Sequence, residues 1–201
     1  MAMKRLLSAA LLIASATNSL VEQKNTYTDS LRQYQSKYVR EHGVIRGKDQ
    51  SLLRFFPVNE KYRVSARFQR IYQANWFDME TSGNNKKAYR VYGILSFTLN
   101  DTLLQLRVYQ SQYLMSTKEY ADNLFAPFTD KTNGEESYEN GRYIEMNIQD
   151  LTGGIYLLDF NKAYNPFCAY VSDVYNCPIP PKENDLPVAV RSGEMKYRKG
   201  H

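Results

Sequence analysis

The sequence predicts a mainly β, antiparallel fold, barrel-like or sandwich, preceded by one α-helix. Three observations predict it. Apolar and polar residues alternate strictly in Tyr62-Arg-Val64-Ser-Ala66-Arg-Phe68-Gln69, the pattern of a half-buried strand. They alternate again over residues 88–99, with Tyr89, Val91, Gly93, Leu95, Phe97 and Leu99 on one side. The pair Asn100-Asp101 then turns the chain into a return strand at 102–110. Upstream of these strands, Tyr27, Leu31, Tyr34 and Tyr38 recur at i, i+4, i+7 and i+11, which is one face of a helix.

Taken in order, residues 1–16 read as a secretory signal. Lys4 and Arg5 precede the apolar run Leu6 to Ile13, and Ala14-Ser-Ala16 supplies a small-residue cleavage site. The run is far short of the roughly 20 residues that span a bilayer, and no later segment is long enough. Residues 17–26 form a polar, flexible leader, and 27–201 a single β-rich domain. The helix at 27–41 is capped by Thr26 or Thr28 and ends at His42-Gly43, and its aromatic stripe marks a face packed on the body of the domain. Thr81 to Asn85 is a turn. Strands follow at 142–148 and 155–160, paired as a hairpin through the Asp150-to-Gly154 turn, with another near 187–191. Sequential strands with short turns favour an antiparallel sheet.

The chain has 201 residues, 43% apolar and 23% charged, a globular composition long enough to bury a core. Its formal charge of +5 falls by the two charges of Lys4 and Arg5 once the signal is removed. Arg54, Lys61, Arg63, Arg67 and Arg70 read as the solvated face of a strand, so no nucleic-acid partner is expected. The two cysteines, Cys168 and Cys177, lie close together near the C-terminus. In an oxidising compartment they form a disulfide, worth about 2–3 kcal/mol for so short a loop. Zinc would need more ligands than these and the two histidines, His42 and His201, provide.

Two stretches carry unusually ordered turn chemistry. One runs Phe125-Ala-Pro-Phe128-Thr-Asp130-Lys-Thr132-Asn133-Gly134-Glu-Glu136-Ser-Tyr138-Glu-Asn-Gly141-Arg142-Tyr143. The other runs Leu158-Asp159-Phe160-Asn161-Lys-Ala163-Tyr164-Asn165-Pro166-Phe-Cys168-Ala-Tyr170, then Cys177-Pro178-Ile-Pro180-Pro181-Lys-Glu183-Asn184-Asp-Leu186, closing on Gly193-Glu194. Together with Phe55-Phe56-Pro57 and the Tyr62–Phe68 segment, they resemble the bacterial and archaeal family catalogued as domain of unknown function 1684, over roughly residues 51–197. Ser137, Glu139-Asn140 and Arg191-Ser192 depart from its usual pattern. The resemblance implies a grouping and no activity.

The chemistry open to these residues is narrow. A Ser-His-acid or Cys-His site needs a positioned histidine, and no G-x-S-x-G elbow or phosphate-cradling glycine loop occurs. Asp130-Lys-Thr132-Asn-Gly134-Glu135 lacks the third-, fifth- and sixth-position residues of a calcium loop and reads as an Asx turn. No metal and no cofactor is expected. The remaining candidate is a constellation of Asp130, Thr132, Tyr138, Arg142, Asp159, Asn161, Tyr164, Asn165, Glu183, Asn184 and Glu194. It suits a small polar ligand or glycan, a carboxylate-dependent hydrolase acting on a glycan or envelope component, or a structural network with Arg142 buried against Asp159 or Glu194. The reading carried forward is a non-catalytic periplasmic or secreted binding or envelope-accessory domain, with an envelope protein as a further possible partner. One outcome is expected at once: the mature protein starts near Thr17. Mass spectrometry of the native envelope fraction checks this, and an intact Met1 in the cytoplasm would refute it.

Overall fold

The computed structural model describes residues 26–198. The expected signal, its cleavage after Ala16 and nearly all of the leader lie outside the described residues. Residues 26–41 form helix α1, with an i,i+3 pair between Asp29 and Arg32 at 3.5 Å and an i,i+4 pair between Lys37 and Glu41 at 3.9 Å. Helix α1 and the residues from His42 onward are two compact units.

The second unit is built on one seven-stranded antiparallel sheet. Its strands are β1 (Arg63–Arg70), β2 (Phe77–Met79), β3 (Lys87–Leu99), β4 (Thr102–Ser111), β5 (Asn123–Phe128), β6 (Arg142–Asn147) and β7 (Ile155–Asp159). The order is β6-β5-β4-β3-β1-β7, with β2 beside β3. The two ends, β6 and β7, do not pair, so the sheet is an open half-barrel. The mainly β, antiparallel, barrel-like class expected from the sequence is present, as a half-barrel and not a closed barrel. The hairpin expected between β6 and β7 is also absent: β6 pairs with β5 and β7 with β1. The connection between them begins with a 3-10 turn, Ile148–Leu151. There the Asp150 side chain accepts from the Asn147 backbone N–H at 2.8 Å, which turns the chain away from β6 instead of doubling it back. The expected β3–β4 hairpin is present. Asn100 and Asp101 take φ of 49° and 58°, the paired positive values of a tight two-residue turn.

Strand β3 changes face partway along. Its register with β4 shifts between Val91 and Gly93, where one extra residue bulges. Before the bulge, Tyr89 and Val91 pack with Met79, Tyr109, Phe125 and Tyr143. After it, Leu95, Phe97 and Leu99 join the main core with Leu104, Leu106, Val108, Phe128 and Phe160. The single continuous face expected for residues 88–99 is therefore split in two. One strand can in this way serve two clusters on opposite faces of the sheet. Gly93 permits it, because a Cβ there would meet the Phe68 ring at 2.3 Å and the Gln69 carbonyl at 2.6 Å.

Strand β5 was not evident from the sequence, because Pro127 interrupts an apolar run. Opposite it, Tyr143 exchanges both backbone hydrogen bonds with Tyr164, so Pro127 occupies a non-bonded position of the β5–β6 ladder and its missing N–H costs nothing there. Among the described residues beyond β7 there is no strand, and the one expected near 187–191 is replaced by an irregular arm. Cys168 and Cys177 are joined by a disulfide in that arm, Cα to Cα 6.2 Å. Ser82 fixes it to the body: its N–H donates to the Cys177 carbonyl at 2.9 Å, and its Oγ accepts from the Cys177 N–H at 3.1 Å.

The bulge yields a direct test. Gly93→Ala should lower stability by about 1–3 kcal/mol, the usual cost of overpacking. Urea unfolding measures it, and an unchanged midpoint would contradict the close approach.

Candidate functional site

Arg142, the first residue of β6, sends its side chain into the interior, where it is completely buried. A buried guanidinium must find acceptors for its fork of donors. Nη2 donates to Asp130 Oδ2 at 2.7 Å and to the Val190 carbonyl at 2.8 Å, with Thr132 Oγ1 at 3.5 Å. Nη1 donates to the carbonyls of Ser192 and, at 3.3 Å, Glu194. The rings of Phe128 and Phe56 lie 5.3 and 5.8 Å from the guanidinium carbon. Burial pulls the Arg142 pKa down, against the opposing pull of the Asp130 carboxylate. The partner carboxylate is thus Asp130, twelve residues upstream, and not Asp159 or the Glu194 side chain.

Asp130 is fully used. Its Oδ1 accepts from Thr132 N at 2.8 Å, closing the expected Asx turn, and from Val190 N at 3.1 Å. Glu194 is buried too. Its Oε1 accepts from the Tyr170 hydroxyl at 2.6 Å and its Oε2 from Asn165 N at 2.9 Å, while Asn165 Nδ2 donates to the Met195 carbonyl at 2.9 Å. Gly193 sits between at φ of 77°, pressed so closely on the Ala163 and Phe160 carbonyls that a Cβ would lie 2.5 and 2.7 Å from them. Asp130, Thr132, Arg142, Asn165 and Glu194 therefore form one clasp that holds residues 188–195. Tyr138 is buried in the adjoining loop, its hydroxyl accepting from Asn140 Nδ2 at 3.2 Å.

The other candidates belong to separate stations. Asp159 Oδ1 accepts from Asn161 N and Nδ2, both at 3.0 Å, and the Asn161 amide bonds both the N–H and the carbonyl of Asn59 at 3.0 Å. Asn184 does the same between two strands. Its Oδ1 accepts from Arg107 N at 2.8 Å, and its Nδ2 donates to the carbonyls of Arg107 at 2.9 Å and Pro127 at 2.7 Å. Tyr164 donates to Glu145 at 2.6 Å, and exposed Glu183 pairs with Arg107 at 3.3 Å. Among the described residues, no three His, Cys, Asp or Glu side chains are placed to hold a metal. His42 Nδ1 accepts from the N–H groups of Val44 and Ile45, and burial lowers its pKa.

Open clefts outside the clasp include two on the sheet. The larger, about 800 Å³, sits where β3 begins and β4 ends. Lys86, Lys87, Tyr89, Ser111, Gln112 and Tyr113 line it. The short helix α2 (Gln112–Met115) forms one wall, capped by Ser111 Oγ accepting from Leu114 N at 3.3 Å. The smaller, about 340 Å³, lies among Phe68, Arg70, Tyr72, Tyr92 and the 148–154 connection. Sequence reasoning missed both. The signal for the larger was the Lys86-Lys87 pair ahead of a strand whose face the bulge reassigns.

The clasp geometry carries its own test. Arg142→Ala leaves Asp130 and the arm carbonyls buried without their donor, and should cost about 3–5 kcal/mol. Thermal and urea unfolding measure it, and a loss below about 1 kcal/mol would mean that water replaces the guanidinium.

Comparison with known proteins agrees with this architecture. The family model described as "Protein of unknown function (DUF1684)" matches residues 49–195. The chain is similar to an uncharacterized protein from gene locus rrnAC0354 of Haloarcula marismortui, whose solution NMR structure is known. The identity is 33%, the match covers 87% of this chain and 96% of that one, and the TM-score is 0.64. No curated protein matches the chain.

Proposed function

The chain belongs to the family described as "Protein of unknown function (DUF1684)", and we propose that it is a non-catalytic periplasmic or secreted binding or envelope-accessory domain. In this reading the motif-bearing segments are scaffold, and a small polar ligand or glycan is taken in the cleft between the start of β3 and the end of β4. The observation that carries it is a division of labour among polar groups. The buried carboxylates of Asp130 and Glu194 have both oxygens occupied by protein donors. In contrast, Lys86, Lys87, Gln112 and Tyr113 in the cleft present exposed side chains. Aromatic faces beside amide and hydroxyl groups suit sugar rings and other small polar molecules. The Cys168–Cys177 disulfide fits an oxidising compartment, and no described helix is long and apolar enough to cross a membrane.

The test has two arms. Cell fractionation with thiol labelling should find the protein outside the cytoplasm with both cysteines oxidised. NMR titration with a panel of sugars should move the resonances of Tyr89, Gln112 and Tyr113. Free thiols in the cytoplasm would overturn the location. Chromogenic glycoside hydrolysis that disappears in Asp130→Asn would replace binding with hydrolase action.

A further inference from the structure

Resting on the assignment of the cleft as the ligand site, we infer that its ligand is an anion with a ring or apolar body, a carboxylated sugar being the simplest such class. Lys86 and Lys87 both line the cleft. Among the described residues neither makes an ion pair or a hydrogen bond from its ammonium group. The acids flanking them across the ladder are Asp78 of β2, register partner of Ala88, and Glu80, just beyond Met79, whose register partner is Lys87. Neither reaches a lysine as an ion pair, so the cationic end of the cleft is uncompensated. Desolvation, with no opposing carboxylate, also holds the Lys87 pKa below the usual value. An anion placed there would supply the missing counter-charge where water is partly excluded, and this strengthens the pair over one in open solvent.

The rest of the cleft fits the body of such a ligand. Tyr113 is 76% exposed, so its ring is open to a stacking ligand. Tyr89 is buried at the wall, opposite Ser111 in the β3–β4 ladder. Ala88 and Leu114 add apolar wall, and Gln112 and Ser116 can meet hydroxyl groups. The arrangement is thus one charged end, one stacking face and amide or hydroxyl groups between them. A neutral sugar would leave the charged end unused.

A matched pair of probes separates charge from shape. p-Nitrophenyl β-D-glucuronide and p-nitrophenyl β-D-glucoside differ by a carboxylate against a hydroxymethyl group. Titrated into the whole mature protein and followed by NMR, the glucuronide should shift resonances within 85–89 and 111–116 and bind about tenfold more tightly than the glucoside, the ratio expected of one charge-assisted contact. Raising the salt should erode that preference. The Lys86→Gln, Lys87→Gln double variant should bind the two probes equally, and Tyr113→Ala should weaken both. These substitutions lie on the surface, and unchanged spectra elsewhere confirm the fold. Equal binding of both probes by the unaltered protein, with Tyr113 required, would overturn the anion preference and leave the cleft assignment standing. Failure of both probes to shift any cleft resonance at millimolar concentration would overturn both.

Discussion

The structure turns on one buried arginine. Residues 188–195 form no regular strand, yet they cover the end of the main core. Backbone carbonyls buried in such a segment must be bonded or the segment cannot stay. The Arg142 guanidinium supplies the donors for three of them, at Val190, Ser192 and Glu194, and Asp130 balances its charge while accepting the Val190 N–H. Arginine suits this place because its donors are fixed in a plane and its charge persists at every working pH. A lysine would bring one compact charge and fewer fixed directions.

The asparagines extend the same logic. Each of Asn161, Asn165 and Asn184 uses its side-chain amide as a spare peptide group, bonding main-chain atoms of a distant segment. Asn184 matters most for the sheet. Strands β4 and β5 share a single register pair, Tyr109 with Phe125, and then part. The Asn184 amide fills the gap with bonds to Arg107 and Pro127 that a neighbouring strand would otherwise make. The half-barrel is thus completed by side chains where strands are lacking. The disulfide and the Tyr170–Glu194 bond fasten the same arm farther along.

Much of this was legible in the sequence, for reasons that differ by element. Strand β1 and the stretches Leu95–Leu99 of β3 and Leu103–Val108 of β4 were readable because one face is buried and the other more exposed, which writes a period of two, whereas β6 and β7 were read from the turn between them. The Asn100-Asp101 turn was readable because its residues tolerate positive φ. Strand β5 was hidden by Pro127, whose tolerance depends on which side of the ladder it faces, and that is a tertiary fact. Strand pairing was the weakest reading: nothing local says that β7 crosses to β1 when a turn could return it to β6. The polar constellation was found as a set of residues, but its sorting into one clasp and separate amide stations needed coordinates. Arg142 lay close to Asp130 in sequence, yet cross-strand reasoning pointed to Asp159 because it assumed the wrong hairpin. The large cleft was invisible because the bulge at Gly93 decides which side chains of β3 meet which surface.

The buried polar side chains of the ordered turn motifs therefore hold the arm in place. With its carbonyls bonded in this way the arm is an integral part of the fold, expected to be as stable as the sheet it covers. Native-state hydrogen exchange tests it most directly, through the amides of Val190, Glu194 and Met195, which donate to Asp130 Oδ1, the Ala163 carbonyl and the Arg54 carbonyl. If the clasp governs the fold, these amides exchange only through global unfolding, with the same free energy and denaturant dependence as Leu95 and Leu106 in the core. Exchange of the arm amides by a much cheaper local opening, with the sheet still protected, would contradict the account.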